Sequence, residues 1–517
     1  MMNNNIFYLK KEIEKIKALF IEKKFETIIK KTGILLKNNP KQPILYNFMG
    51  LSYLELHQYD MAIKIWLSAI DKIPADSSIF SNIGIAFKTK ENFSEARKYF
   101  LLALKINPKH LQSYINLANL ETTLNNNKLA LNYYLEAYKI NNNIEAVLTY
   151  LILSYSANGN FDDAKKIISE LNTKFPNNTK SYQLYSKIHS YQNEDNHQKI
   201  MLEKVKNKNL NHEDLANFYF ALAKSFFDQK NIEKAVEYTL KANDTKFKTF
   251  NDYNFNSELQ IFAKIKKYFK NFNFDKNLSD KGENLILILG LPRSGTTLLH
   301  QIIGSHSKVL GVEESGFLYH TLLNKFDDEN DFKNFFKSEV FDRAKLLKLS
   351  EDILSKYKMY GENKIIVDKH PFNFKWVGFI KILFPKAKII HSNRNVADSA
   401  FSIYKNLFDH PLGWTYHQDY LVEYVKNYKD LMNFWNDRLD YFIYDYRYEN
   451  LVNNQVEETK KILNFCELEF EENCIDYTKN KMPVKTISVA QARQKIYKSS
   501  VNLSEKYFDY LPFLKSL

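Results

Sequence analysis

In the first half of the chain, apolar positions recur at helical spacing within a repeat of 34 residues. Windows beginning at Pro43, Ser77, Leu111 and Glu145 align without insertions. The first holds Gly50, Tyr53, Ala62, Trp66, Ala69 and Pro74, and the second Gly84, Phe87, Ala96, Phe100, Ala103 and Pro108. The third keeps Ala130, Tyr134 and Ala137, and the fourth Tyr155, Ala164 and Pro176. A fixed period of this length predicts stacked helical pairs, because one unit buries its apolar face only against the next. A plain helical bundle would not hold four windows in register. An earlier window from Leu9 keeps Ile28 and Pro40 but lacks the glycine, as a degenerate cap would. A later pair, about 214–244, carries Ala223, Phe226, Ala235, Tyr238 and Ala242, while 179–212 between them is irregular.

The pattern changes past a connector rich in Phe, Asn and Lys, in which Glu258 to Phe269 reads as helical and Asp280-Lys281-Gly282 as a boundary loop. Leu285 to Leu289 is a continuous apolar run, the signature of a strand buried on both faces of a parallel sheet. The chain then turns through Gly290-Leu291-Pro292-Arg293-Ser294-Gly295 into a helix with apolar periodicity that ends at Gly304. Lys364–Val367 and Ala387–His391 read as two more strands, joined by an apolar helix that stops before Pro385.

Strand, glycine-bounded loop and helix N-terminus form a phosphate cradle, since unused backbone N–H groups and the helix dipole converge on one anion. Gly290 and Gly295 have the Walker spacing, but Thr296, followed by Thr297, stands where that motif needs its lysine. Arg293 supplies a cation from within the loop instead. About a hundred residues on, Arg394 ends a strand and Ser402 lies eight residues later on the following helix. A planar guanidinium and a hydroxyl facing one crevice suit a phosphomonoester.

The 34-residue windows resemble the tetratricopeptide repeat, in which small residues let two antiparallel helices touch and aromatics fill the gaps between repeats. Pro292-Arg293-Ser294-Gly295-Thr296-Thr297 after an apolar strand resembles the donor loop of sulfotransferases that use 3′-phosphoadenosine 5′-phosphosulfate (PAPS). Arg394 to Tyr404 is similar to that family's R-D-P-x-D-x-x-L-S-x-Y, with Asn395 and Val396 departing from the usual pair. Asp368-Lys369-His370-Pro371-Phe372-Asn373 resembles D-K-x-P-x-N, and Tyr448-Glu449-Asn450-Leu451-Val452 resembles Y-E-D-L-V. The tail from Val484 to Val501 is similar to the closing segment of bacterial proteins that join tetratricopeptide repeats to a sulfotransferase domain, although the usual Gly-Arg-Trp-Arg is here Asn502-Leu503-Ser504-Glu505.

This resemblance implies an all-α tetratricopeptide solenoid over 1–245, a connector over 246–282 and an α/β P-loop-like domain with a central parallel sheet over 283–517. It implies that Arg293, Ser294, Gly295, Thr296 and Thr297 surround a 5′-phosphosulfate. Arg394 and Ser402 would hold the 3′-phosphate, Tyr448 would flank adenine, and Ser488 and Lys498 would lie near the donor. Glu314 matches the catalytic glutamate of protein-tyrosine sulfotransferases and their bacterial relatives. Glu313 competes with it, because neighbours on an extended segment point to opposite sides. Lys369 and His370 are the next candidates for the chemistry. No metal is expected.

Composition adds bounds. The 517 residues predict two or three domains, and 44% hydrophobic with 26% charged residues describes an ordinary soluble chain. The net charge of +13 is spread along the whole length without a compact basic block, which argues against nucleic acid. The two cysteines, Cys466 and Cys474, exclude a disulfide framework. Neither a secretory signal nor a membrane span is legible, so a cytoplasmic protein is expected. The expected partners are an acceptor with a hydroxyl and a peptide, protein or second copy on the repeat surface. Two rival readings are a P-loop small-molecule kinase and a non-catalytic repeat scaffold with a vestigial nucleotide domain.

Overall fold

The computed structural model describes residues 2–274, 279–327, 343–361, 364–409, 411–480, 482, 484 and 491–517. The chain divides into two compact units, Met1–Ser154 and Tyr155–Leu517.

The first unit is built of helical pairs: Met2–Ile21 with Phe25–Asn38, Pro43–Glu55 with Tyr59–Ile70, Ser77–Thr89 with Phe93–Ile106, and Leu111–Thr123 with Asn127–Ile140. Small-against-large packing sets their approach. A Cβ on Gly50 would lie 2.2 Å from the Trp66 ring, and one on Gly84 would lie 2.5 Å from Phe100. The turn inside each pair closes on a left-handed residue, Lys23, His57, Glu91 and Asn125, each at φ between 57° and 59°. These positions keep the 34-residue period, so the window read from Leu9 as a degenerate cap is a full helical pair with the same turn.

In the second unit, Phe161–Lys174 is followed by two nine-residue helices, Lys180–Ile188 and Asn196–Lys204, which account for the irregular window. A longer pair follows, His212–Asp228 with Ile232–Phe247. The sequence places a connector over 246–282, and much of it is the helix Phe255–Phe269, whose Phe262, Ile265 and Phe269 are fully buried. Phe269 packs edge-on against Trp435, and Lys375 reaches Glu258 at 3.5 Å.

Five parallel strands form the sheet: β1 Leu285–Gly290, β2 Val309–Glu313, β3 Ile365–Lys369, β4 Lys388–Asn393 and β5 Ile443–Arg447, in the order β2-β3-β1-β4-β5. The apolar run of β1 is central and buried along its whole length. Parallel pairing puts the C-terminal ends of β1, β2, β3 and β4 on one edge, where ligands of open α/β sheets bind. The last repeat pair lies against this domain: Asn243 donates to the carbonyl of Tyr404 at 2.8 Å, and Phe227 meets Phe401 edge-on. Among the described residues, no helix is long and apolar enough to cross a membrane.

Candidate active site

The C-terminal ends of β1, β2 and β4 open into a cleft of about 390 Å³. The loop after β1 enters it with two left-handed residues, Arg293 at φ 69° and Gly295 at φ 97°. Gly295 is obligatory there on two counts: its φ suits glycine, and a Cβ would lie 2.4 Å from the Tyr448 ring. The helix Thr296–Ile303 then starts with Thr296 and Thr297 on the cleft wall. First-turn N–H groups have no partner within their own helix and face an anion with the positive end of the dipole. The loop is fixed from behind, since Ser392 donates to the carbonyl of Ser294 at 2.8 Å and Arg394 donates to that of Arg293 at 2.9 Å. Ser294 itself is buried and is not among the lining residues.

Cations gather at one end of the cleft. Arg293 donates through Nε to Ser402 Oγ at 3.0 Å and through a terminal nitrogen to Gln491 at 2.8 Å. Arg394 donates to the carbonyl of Ser500 at 2.6 Å and stacks over Tyr448 at 4.8 Å, and its buried Nε has no hydrogen-bond partner among the described residues. Burial and the Arg394 charge lower the pKa of Arg293 to about 10. Lys405, one residue past the helix Val396–Tyr404, lines the same end. Burial, then the charges of Arg293 and Arg394, bring its pKa to about 8. Like charges brought together at a cost call for a multivalent anion between them.

Glu314 lines the other end. It follows β2 in a left-handed conformation, φ 44°, and its N–H donates to the carbonyl of Lys369 at 3.0 Å. Lys369 Nζ lies 2.5 Å from the carboxylate of Glu314 and 3.4 Å from that of Glu313. The expectation that the two glutamates point to opposite sides therefore fails. That alternation belongs to an extended backbone, and the turn at Glu314 brings both carboxylates to one ammonium. They differ in access: the Glu313 side chain is 1% exposed and that of Glu314 is 35% exposed. Burial works against the charge of Lys369, but Glu314 and Glu313 outweigh it and raise its pKa. Lys369 is fully buried behind Glu314 and outside the cleft lining. His370, half-buried and stacked on Tyr319, does not line the cleft either. Below them, Asp368 accepts from Ser315 at 3.2 Å and from the hydroxyl of Tyr357.

The tail closes the site. Asn395, one of the two departures from the motif, caps its helix by accepting from the N–H of Asp398 at 3.1 Å. Asp398 in turn accepts from the backbone N–H groups of Asn502 at 2.8 Å and Ser504 at 2.7 Å. Asn502 takes a left-handed φ of 55°, which asparagine tolerates, in place of the usual glycine. Ser488 lies outside the described residues. Lys498 is exposed and does not line the cleft, because the tight turn Lys498–Ser500 presents Ser499 and Ser500 there, with Lys495 preceding them. Lys405, Gln491 and Lys495 were not singled out from the sequence. Lysine is frequent throughout this chain, and neither tail residue sits in a spacing that marks chemistry.

Comparison with known proteins agrees with this architecture. Residues 286–472 match the sulfotransferase family, and 77–110 and 111–144 each match the tetratricopeptide repeat. The chain thus joins a sulfotransferase-family domain to tetratricopeptide repeats. An uncharacterized protein of Aquifex aeolicus is 32% identical over 304 residues, 56% of this chain and 40% of that protein, so less than half of the relative's length is spanned. A Caenorhabditis briggsae protein named "Putative protein-tyrosine sulfotransferase" is 26% identical over 207 residues, 38% of this chain and 69% of the relative. Among solved structures, the sulfotransferase domain of a Synechococcus olefin synthase is 18% identical and covers 45% of this chain and 97% of its own, with a TM-score of 0.28.

Proposed function

We propose that the protein is a sulfotransferase that moves a sulfuryl group from PAPS to an acceptor hydroxyl. The observation that carries this reading is the one cleft that holds a lysine-less phosphate loop, paired guanidiniums at one end and an accessible carboxylate at the other. The loop and the first turn of its helix suit the 5′-phosphosulfate. Arg394, with its unpartnered buried Nε, and Ser402 suit the 3′-phosphate. Tyr448 suits the adenine edge.

In the proposed reaction, the acceptor oxygen forms a bond to sulfur as the bond from sulfur to the 5′-phosphate oxygen breaks. The acceptor proton passes to Glu314, and adenosine 3′,5′-bisphosphate leaves. Such a transfer asks mainly for positioning and for neutralising charge on the departing group, which the loop N–H groups and Arg293 supply. Lys369 is a positioning residue that fixes the carboxylate of Glu314 in its turn. The acceptor is a tyrosine-bearing protein, a carbohydrate or a small hydroxyl compound, and the repeats are a surface on which a peptide or protein acceptor, or a second copy, can dock.

The test is a screen with ³⁵S-labelled PAPS against a tyrosine peptide, a polysaccharide and a simple phenol, with γ-labelled ATP in parallel. Transfer of the sulfur label to one of them supports the reading. Phosphoryl transfer from ATP with none from PAPS would replace it with the kinase reading.

A further inference from the structure

We infer that the last repeat pair is part of the donor site: Phe227, on the helix His212–Asp228, and Phe401 hold the ammonium of Lys405 where it binds the 3′-phosphate as a third cation beside Arg293 and Arg394. The inference rests on the donor reading above. Lys405 Nζ lies 5.4 Å from the centre of the Phe227 ring and 5.0 Å from that of Phe401. These rings are themselves fixed. Phe401 stacks on Tyr507 at 4.2 Å, and Phe227 meets both of them edge-on, at 5.9 and 5.7 Å. Aromatic faces attract a cation without neutralising it, so the ammonium keeps its charge for a ligand.

The surroundings leave Lys405 with no other task. Among the described residues no hydrogen bond or ion pair holds its ammonium. The nearest acids are engaged elsewhere: Asp228 pairs with Lys224 and accepts from the N–H of Tyr191 at 3.0 Å, and Asp398 holds the tail amides. Arg394 differs, since two of its nitrogens already bind backbone carbonyls. A cation kept in a cleft beside two guanidiniums, with the faces of Phe227 and Phe401 against its ammonium, is suited to an anion carrying two negative charges. The role of Phe227 is indirect, and it acts through Lys405.

The test uses the full chain and calorimetry with two probes, adenosine 3′,5′-bisphosphate and adenosine 5′-phosphosulfate, which lacks the 3′-phosphate. Lys405→Met should weaken the bisphosphate about ten-fold or more and leave the phosphosulfate unchanged. Lys405→Arg, which keeps the charge, should retain most of the affinity. Phe227→Leu should weaken the bisphosphate about three-fold in the native background and have no further effect on top of Lys405→Met, a coupling that a purely structural role for Phe227 would not give. Equal affinity of native protein and Lys405→Met for the bisphosphate overturns this inference alone, and so does an equal loss for both probes. No binding of either probe by the native protein overturns the donor reading with it.

Discussion

The two ends of the cleft are built on opposite plans. At the Glu314 end, one carboxylate faces the cleft, held by Lys369 on its oxygen and by the sheet carbonyl on its N–H. A left-handed non-glycine residue of this kind costs on the order of 1–3 kcal/mol and persists because its surroundings over-determine it. At the other end, charge is shared by Arg293, Arg394 and Lys405, drawn from three segments and supported by the tail and the last repeat pair. Chemistry concentrated in one group is brittle under substitution, whereas binding spread over several groups degrades by steps.

Substitutions and a change of pH sharpen this contrast, and the largest effect is expected at the brittle end. Glu314→Gln should reduce turnover by about 10²–10⁴-fold while bisphosphate affinity stays within a factor of two or so, because the base is removed and the cations at the other end stay in place. Glu313→Gln should do much less, and steady-state kinetics of the two variants separates them. Reversed results would move the base to Glu313.

Gly295→Ala comes next. Its Cβ has no room against Tyr448 and its φ is unfavourable, so the loop must shift, and both nucleotide probes should lose affinity about 100-fold. A normal calorimetric isotherm would show that the loop does not form the anion cradle.

Arg394→Ala should weaken the bisphosphate about 10- to 100-fold, from one charge-assisted contact worth roughly 1.5–3 kcal/mol. Since Arg394 also holds the loop at the carbonyl of Arg293, adenosine 5′-phosphosulfate should weaken too, by a few-fold. An unaffected phosphosulfate would mean that the loop stands without this support.

The smallest effect is expected from pH. With its pKa lowered to about 8, Lys405 is largely charged below that pH and loses its proton above it. A bound phosphate favours the charged form, so bisphosphate affinity should be level below about pH 7.5 and fall by up to ten-fold per unit above 8. The charged groups around it are Arg293, Arg394, Asp228 and Asp398, and the proton lost near pH 8 is that of Lys405. The slope should therefore disappear in Lys405→Met. A slope that survives would assign the titration to another group.

How much was legible in the sequence follows the same division. The repeats of the first unit were readable because each pair packs on its neighbours, so the same small and aromatic residues recur, Gly50 against Trp66 and Gly84 against Phe100. The period weakens over 179–212, in the unit that also holds the α/β domain, where helices answer to that domain as well as to one another. Strand β1 announced itself by an unbroken apolar run. Strand β5 did not, since Ile443-Tyr444-Asp445-Tyr446-Arg447 is an edge strand with only Tyr446 buried. The anion loop and Glu314 were visible as local motifs, but the turn that sends both glutamates to Lys369 depends on pairing with β3, which no local pattern encodes. Lys405 lines the cleft beside Phe227, which lies far from it in sequence and belongs to a repeat helix, and no local pattern encodes that meeting.

The backbone amides of Asn502 and Ser504 that close on Asp398 also fix an order of events during synthesis. The repeats, the whole sheet and the loop after β1 leave the ribosome before these amides exist. Until residues 500–504 emerge, Asp398 lacks two donors and Arg394 lacks the carbonyl of Ser500. The contacts of residues 500–504 with Asp398 and Arg394 therefore form only after the segments that they join have been produced.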